Sequence, residues 1–104
     1  MRSVGRIAIV GAGPIGLEAA VHARRLGHEV TVYEAGVVGE HFRRYGPVRL
    51  FTPFGMNSTE ESRERLRSAG VLFPADEDVL TAEELADRYL LPLSKLPEIG
   101  RAHV

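Results

Sequence analysis

The chain has no cysteine and no tryptophan among its 104 residues. Without thiols this stretch can form no disulfide, no cysteine-ligated zinc site, no iron–sulfur ligation and no redox-active dithiol. A surplus of charge is missing too: thirteen Lys and Arg stand against fourteen Asp and Glu, for a formal net charge of −1. Such balance offers no electrostatic footprint for nucleic acid or for an anionic membrane surface. Nor are there long apolar runs. The four residues Ile7 to Val10 that precede Gly11 are too few for a signal-peptide core, and nothing approaches the length of a membrane span. The expectation is a cytoplasmic protein, one domain at most over residues 1–104, with neither nucleic acid nor membrane as partner. Internal repeats and low-complexity tracts are also absent.

What is present is concentrated in the first third. Gly11, Gly13 and Gly16 follow directly on the apolar run Ile7-Ala8-Ile9-Val10, and Glu34 closes a second run, Val30-Thr31-Val32-Tyr33. The triplet G-x-G-x-x-G alone is weak evidence. Between a strand and a helix, with an acid about 20 residues on, it reads as a dinucleotide-binding unit. Gly11 permits the turn out of the strand, Gly13 lets a pyrophosphate approach bare backbone, and Gly16 lets the helix pack close to the sheet. Pro14 falls in the first turn, where a missing N–H costs nothing. The unbroken apolar run suits a parallel strand covered on both faces.

From Ile15 to Leu26 the apolar residues Ile15, Ala19, Ala23 and Leu26 recur at helical spacing, with Glu18, His22 and Arg25 on another face, and Gly27 stands as the terminator. Val30 to Glu34 then returns as a second strand. The fold class is therefore α/β, a Rossmann-like βαβ unit with parallel strands joined by a right-handed crossover. The helix N-terminus, with its free N–H groups, points at the place of a diphosphate. Glu34 can accept hydrogen bonds from a ribose diol and would meet a 2′-phosphate with like charge, so NADP is disfavoured while FAD, NAD and ADP remain open.

Here the chain resembles the N-terminal flavin-binding segment of the two-dinucleotide-binding-domain flavoproteins. Their longer fingerprint continues with a small residue, a glycine, a valine and an acid, where this sequence has Ala20, Gly27, Val30 and Glu34. The resemblance implies FAD in preference to NAD, because the flavin unit of such proteins comes first. It also implies hydride transfer from a nicotinamide to the flavin as the parent chemistry. A disulfide reductase of the glutathione reductase type would carry a cysteine pair soon after the acid, and its absence argues against that branch.

Beyond Glu34, residues Ala35 to Asn57 show no sustained period and read as an irregular segment with a short strand at Val48 to Phe51. The string Gly46 to Asn57 is similar to the segment that runs beneath the flavin in monooxygenase-like flavoproteins. That likeness implies apolar ring contacts from Phe51, Phe54 and Met56 and a hydrogen bond to the ring edge from Thr52 or Asn57; core filling is the competing reading of the aromatics. His41, Arg43, Arg44 and Arg49 form a basic cluster able to reach a pyrophosphate or a substrate anion, or simply a solvated loop face. The expected cofactor contacts are thus Gly11, Ala12, Gly13, Pro14, Ile15, Gly16, Glu34 and Ala35, joined by Arg43, Arg44, Arg49 and Thr52. No metal site is expected, since each of the four histidines is isolated.

Two helices follow. Ser58 and Glu61 stand at capping-box spacing, Glu61 and Arg65 at i,i+4, with Leu66 and Ala69 as the few buriable residues and Gly70 as the stop. A second capping box lies at Thr81 and Glu84, with Leu80 and Leu85 as its staple and a stripe of Leu85, Tyr89 and Leu93 until Pro92 disturbs the ladder. Asp76, Glu77 and Asp78 read as a solvated turn, and no acid, base or nucleophile stands out as catalytic. The chain reaches Ile99 to Val104 where the resembling proteins begin a third parallel strand. Three readings remain: a portion of an FAD-dependent oxidoreductase, a stand-alone adenine-dinucleotide-binding module or subunit, and a non-binding scaffold. Each leaves room for a complementary subunit or self-association.

Overall fold

The structure is a computed structural model and describes residues 5–103. Three strands, β1 (Arg6–Val10), β2 (Glu29–Glu34) and β3 (Gly100–His103), form a parallel sheet in the order β1-β2-β3. Ile7 and Ile9 lie beside Val30 and Val32, and Glu34 lies beside His103. The expected third strand is therefore present. Helix α1 (Pro14–Arg25) is the crossover between β1 and β2, and Leu26 and Gly27, the latter at φ +94°, close it.

Burial on α1 corrects the sequence reading. The face turned to the sheet carries Leu17, Ala20, Val21 and Ala23, whereas Ile15 is 87% exposed, Ala19 is exposed and Leu26 is partly so. Gly16 decides this rotation. A Cβ there would run into the Gly11 carbonyl and touch Ile9 Cγ2 at 3.3 Å, so the helix presents its bare position to β1 and the flanking residues follow it inward.

Coverage of the sheet differs from expectation in a second way. Ile7, Ile9, Val30 and Val32 share the face on which α1 packs, but Ala8 and Val10, on the other face, are exposed, Val10 to 89%. The helices that touch one another, α1 with those that follow, build the core on that single side.

The stretch after β2 is less irregular than its composition suggests. It contains two one-turn helices, α2 (Glu40–Arg43) and α3 (Phe54–Asn57), and in place of a strand at Val48 to Phe51 a single antiparallel bridge between Arg49 and Thr81. Phe54 is buried against Tyr89, edge to face at 5.1 Å, while Phe51 and Met56 are exposed. Core filling thus accounts for Phe54 alone of the three.

Helix α4 (Glu60–Ser68) is capped by Thr59, whose hydroxyl accepts the Ser62 N–H, and not by Ser58, which donates to the Phe54 carbonyl. Glu61 pairs with His22 and Arg25 on α1, and Arg65 with Glu98, so the expected i,i+4 pair gives way to tertiary partners. Leu66 is buried as expected; Ala69 is exposed. Helix α5 runs from Ala82–Leu85 through a wide π turn, Ala86–Leu90, into Leu91–Ser94. The Thr81–Glu84 capping box is complete, with bonds of 2.8 and 3.0 Å, and Leu85, Tyr89 and Leu93 are all buried. Pro92 does not end the helix: the wide turn before it accommodates a residue that has no N–H to give and whose ring crowds the preceding turn.

A polar junction joins these helices, with Ser62 and Tyr89 buried and Thr59 at its exposed edge. Glu18 of α1 accepts hydrogen bonds from Thr59 Oγ1 at 2.9 Å, from Ser62 Oγ and from the Tyr89 hydroxyl, while the Thr59 N–H donates to that hydroxyl at 3.2 Å. Burial, and next the adjacent Glu18 carboxylate, push the Tyr89 phenol well above the ordinary tyrosine range, so it stays a donor.

Candidate functional site

Three hydrogen bonds fix the glycine loop, two of them to β2 and one to the segment that follows it. The Gly11 N–H donates to the Tyr33 carbonyl at 2.8 Å, the Ala12 N–H donates to Glu34 Oε1 at 2.7 Å, and the Ala12 carbonyl accepts the Gly39 N–H at 2.8 Å. Gly11 itself sits at φ +103°, which a residue with a Cβ rarely adopts. The turn that sequence spacing assigned to it is thus real.

Past Ala12 the backbone N–H groups are left open, while the Gly13 carbonyl accepts the Leu17 N–H at 3.0 Å. Among the described residues the N–H groups of Gly13, Ile15 and Gly16 have no protein acceptor, and α1 has no side-chain cap. A Cβ built on Gly13 meets nothing within 4 Å. Bare main chain at the positive end of a 12-residue helix therefore faces free space, which is the arrangement an anionic diphosphate requires.

Glu34 stands at the mouth of that space. Its Oε2 accepts the Gly36 N–H at 2.9 Å, complementing the bond from Ala12 to Oε1. The Ala12 N–H first, and the Gly36 N–H next, hold this carboxyl below the usual carboxylate range, so it is an anion at neutral pH. The Ala35 N–H acts on it more weakly, and the carboxylate, with about four lone-pair sites, keeps capacity for an outside donor.

Glu34 also divides two clefts. One, of about 270 Å³, lies over the glycine loop and is lined by Gly11, Gly13, Pro14, Glu34, Gly39, Glu40, His41, Phe42 and Tyr45. The other, of about 340 Å³, lies at the carboxyl ends of β2 and β3 and is lined by Ala12, Val32, Glu34, Gly36, Val37, Val38, Leu91, Arg101, Ala102 and His103. This is where open parallel sheets place their ligands.

Of the residues expected at the site, Gly11, Ala12, Gly13, Pro14 and Glu34 line the clefts, Gly16 lies outside them against Gly11 and Ile9, and Ile15 leaves its N–H open while its side chain faces outward. Ala35 is exposed beside them. The basic cluster does not converge on the loop. Arg43 donates to the Val38 carbonyl at 2.9 Å and pairs with Asp87, Arg49 donates to the Val79 carbonyl at 2.9 Å, and Arg44 stands 3.9 Å from Glu40. Thr52 and Asn57 satisfy each other, at 2.6 and 2.8 Å. None of Arg43, Arg44, Arg49 or Thr52 lines either cleft.

Residues 36–42 and β3, in contrast, line the clefts without having been singled out, apart from His41. The signal for the former was the pair Gly36 and Gly39. Gly39 adopts φ +71°, and a Cβ there would press on Leu90 and Ala86, so this glycine lets the loop lie down on α5 and close over Ala12. Among the described residues no group of His, Asp and Glu could hold a metal ion, and no helix is long and apolar enough to cross a membrane.

Comparison with known proteins identifies the family. Residues 8–90 match the family described as pyridine nucleotide-disulphide oxidoreductase. The NAD-dependent dihydropyrimidine dehydrogenase subunit PreT of Escherichia coli K12 is 32% identical over 87 residues, and that of E. coli O157:H7 is 31% identical; the alignment takes in 81% of this chain and 21% of each relative. Among solved structures, the bacillithiol disulfide reductase Bdr (YpdA) of Staphylococcus aureus superposes on 99% of this chain with a TM-score of 0.63 and 25% identity, using 29% of its own length. The chain thus spans about a fifth of the curated relatives it matches. The glycine turn, the crossover helix and the acid-terminated second strand all lie inside the matched stretch, and the chain belongs to the pyridine nucleotide-disulphide oxidoreductase family.

Proposed function

We propose that this chain is the FAD-binding N-terminal portion of an FAD-dependent oxidoreductase, and that it holds the adenosine diphosphate half of the cofactor. The observation that carries this reading is the pairing of open N–H groups at Gly13, Ile15 and Gly16 with a Glu34 carboxylate fixed by Ala12 and Gly36. In this arrangement the diphosphate lies on the helix N-terminus and the ribose diol donates to the free lone pairs of Glu34. The adenine then enters the cleft bounded by Val37, Val38, Leu91 and Ala102. NAD and ADP share that half-molecule and would seat in the same way. Glu34, an anion above the ordinary carboxylate range, disfavours a 2′-phosphate, hence NADP.

When bound, the flavin supplies hydride acceptance from a nicotinamide. The contribution of this chain is to bind and orient: Gly11 and Gly39 shape the loop, Gly13 leaves room, Gly16 brings the helix close, and Glu34 holds the sugar. No side chain lining the clefts is proposed as acid, base or nucleophile. The family match and the reductase neighbour support an oxidoreductase; the monooxygenase-like branch rests on the likeness of Gly46 to Asn57 to the segment beneath the flavin in such proteins. A cytoplasmic setting belongs to the same proposal. The exposed face of Ala8 and Val10, and the edge of β1 that pairs with no described strand, offer room for a complementary subunit or a second copy. PreT is itself named as a subunit.

A second reading rests on a specific observation: every group in the proposed contact lies within this chain, so binding of FAD, NAD or ADP does not demand the remainder of a larger enzyme. Purified protein carrying flavin absorbance near one equivalent per chain supports the first reading. Colourless protein stabilised by ADP or NAD supports the second, and thermal stability indifferent to all three refutes both.

A further inference from the structure

We propose that Glu40 is a second gate on this site, a carboxylate that confines it to adenosine nucleotides whose ribose 2′-hydroxyl bears no phosphate. The inference rests on the nucleotide-binding reading above and assigns a residue that the glycine motif does not contain. Glu40 is the first residue of α2, directly after the left-handed Gly39. Its side chain folds back over Gly36, so closely that a Cβ on Gly36 would lie 2.5–2.7 Å from the carboxylate atoms. Gly36 in turn gives its N–H to Glu34 at 2.9 Å. Two carboxylates therefore bracket one glycine.

Glu40 lines the cleft over the glycine loop together with Gly11, Gly13 and Glu34. Among the residues that line this cleft His41 is the only one able to carry positive charge, and Arg44, on the next turn, stands 3.9 Å from Glu40. A ribose diol needs acceptors, which Glu34 supplies. A phosphomonoester at the 2′ position brings up to two negative charges and needs donors. Glu34 repels it from one side, and Glu40 adds like charge on the side of α2. The diphosphate escapes this penalty because its oxygens lie on the open N–H groups of Gly13, Ile15 and Gly16.

The test measures binding of ADP and of its 2′-phosphorylated derivative, which differ in that group alone, to the whole chain, as wild type, Glu40→Gln and Glu40→Arg, with circular dichroism and thermal melting to confirm folding. Wild type prefers ADP. Glu40→Gln narrows that preference by about three- to tenfold, the size of one like-charge interaction near a surface, and Glu40→Arg narrows it further. Added salt narrows the preference more in wild type than in the Gln variant, because screening acts on the charge that the variant lacks. Folded variants that bind ADP with the wild-type preference overturn the role of Glu40 alone. Wild type that binds neither compound overturns the nucleotide site itself, and this inference with it.

Discussion

Gly13 and Gly16 stand three residues apart in the same motif, yet their surroundings predict opposite responses to a single added methyl group. At Gly16 a Cβ falls far inside van der Waals contact with the Gly11 carbonyl oxygen, a backbone atom that Gly11 cannot move without losing its own 2.8 Å bond to Tyr33. Relief requires α1 to lift from β1, which loosens Leu17, Ala20 and Val21 together. Overpacking of this kind costs about 1–3 kcal/mol, and in a chain of this size each kcal/mol lowers the melting temperature by about 4 °C or more. At Gly13 a Cβ meets nothing within 4 Å, and the backbone there, at φ −91° and ψ −174°, is open to any residue. Gly13→Ala therefore leaves the fold intact, with a gain of about 0.4–1 kcal/mol from a less flexible unfolded chain. What it fills is the space where a diphosphate approaches. Wild type in ADP at about a hundred times the dissociation constant gains about 2.7 kcal/mol, and the Gly13→Ala variant loses that gain. Differential scanning calorimetry of the three proteins, with and without ADP, reads every arm. A Gly16→Ala protein that melts with wild type, or a Gly13 variant that is unfolded or still gains stability from ADP, would contradict these contacts.

Other expectations follow from the same contacts. Replacing Glu34 by Ala weakens ADP binding by about 1–3 kcal/mol, measured by titration calorimetry, because a charged acceptor for the ribose is lost and the Ala12 and Gly36 N–H groups lose their partner. Because the folded chain holds the Glu34 carboxyl below its ordinary value, this group stabilises the loop above the usual carboxylate range, and the contribution disappears as pH falls through the lowered value. Acid titration should therefore show a stability loss in wild type that is smaller in Glu34→Gln. At the helix junction, Tyr89→Phe costs about 1–2 kcal/mol in urea melts, and Glu18→Ala costs more, since it strands the hydroxyls of Tyr89 and Ser62 in the core; equal costs would contradict the network. Thr81→Ala removes one half of the α5 capping box and should lower stability by about 1 kcal/mol without altering nucleotide binding.

The course from β1 through the glycine turn and α1 to β2 was legible along the chain, and so were Gly27, Gly70, the Thr81–Glu84 box and the Leu85, Tyr89 and Leu93 stripe. All depend on neighbours within a turn or two: a left-handed backbone, a cap within one turn of its partner, a period in the apolar residues. Ser58 and Thr59 show the limit of such reasoning. Both are capping residues, and the choice fell to Thr59 because its hydroxyl also reaches Glu18, 41 residues away in sequence. Glu61 likewise turned from Arg65 to His22 and Arg25, partners that exist only once α1 and α4 pack.

Local chemistry in the sequence thus determined that an acid-terminated parallel strand follows a glycine turn and a crossover helix, because φ and apolar period are properties of adjacent residues. Which face of α1 turns inward, where the arginines find their partners, and how Gly36, Gly39 and Glu40 lie over the glycine loop were decided by the tertiary structure alone. Contacts between residues far apart in the chain carry no period and leave no spacing to read. They form where the backbone of one segment offers a hydrogen bond, or the room of a missing Cβ, to another.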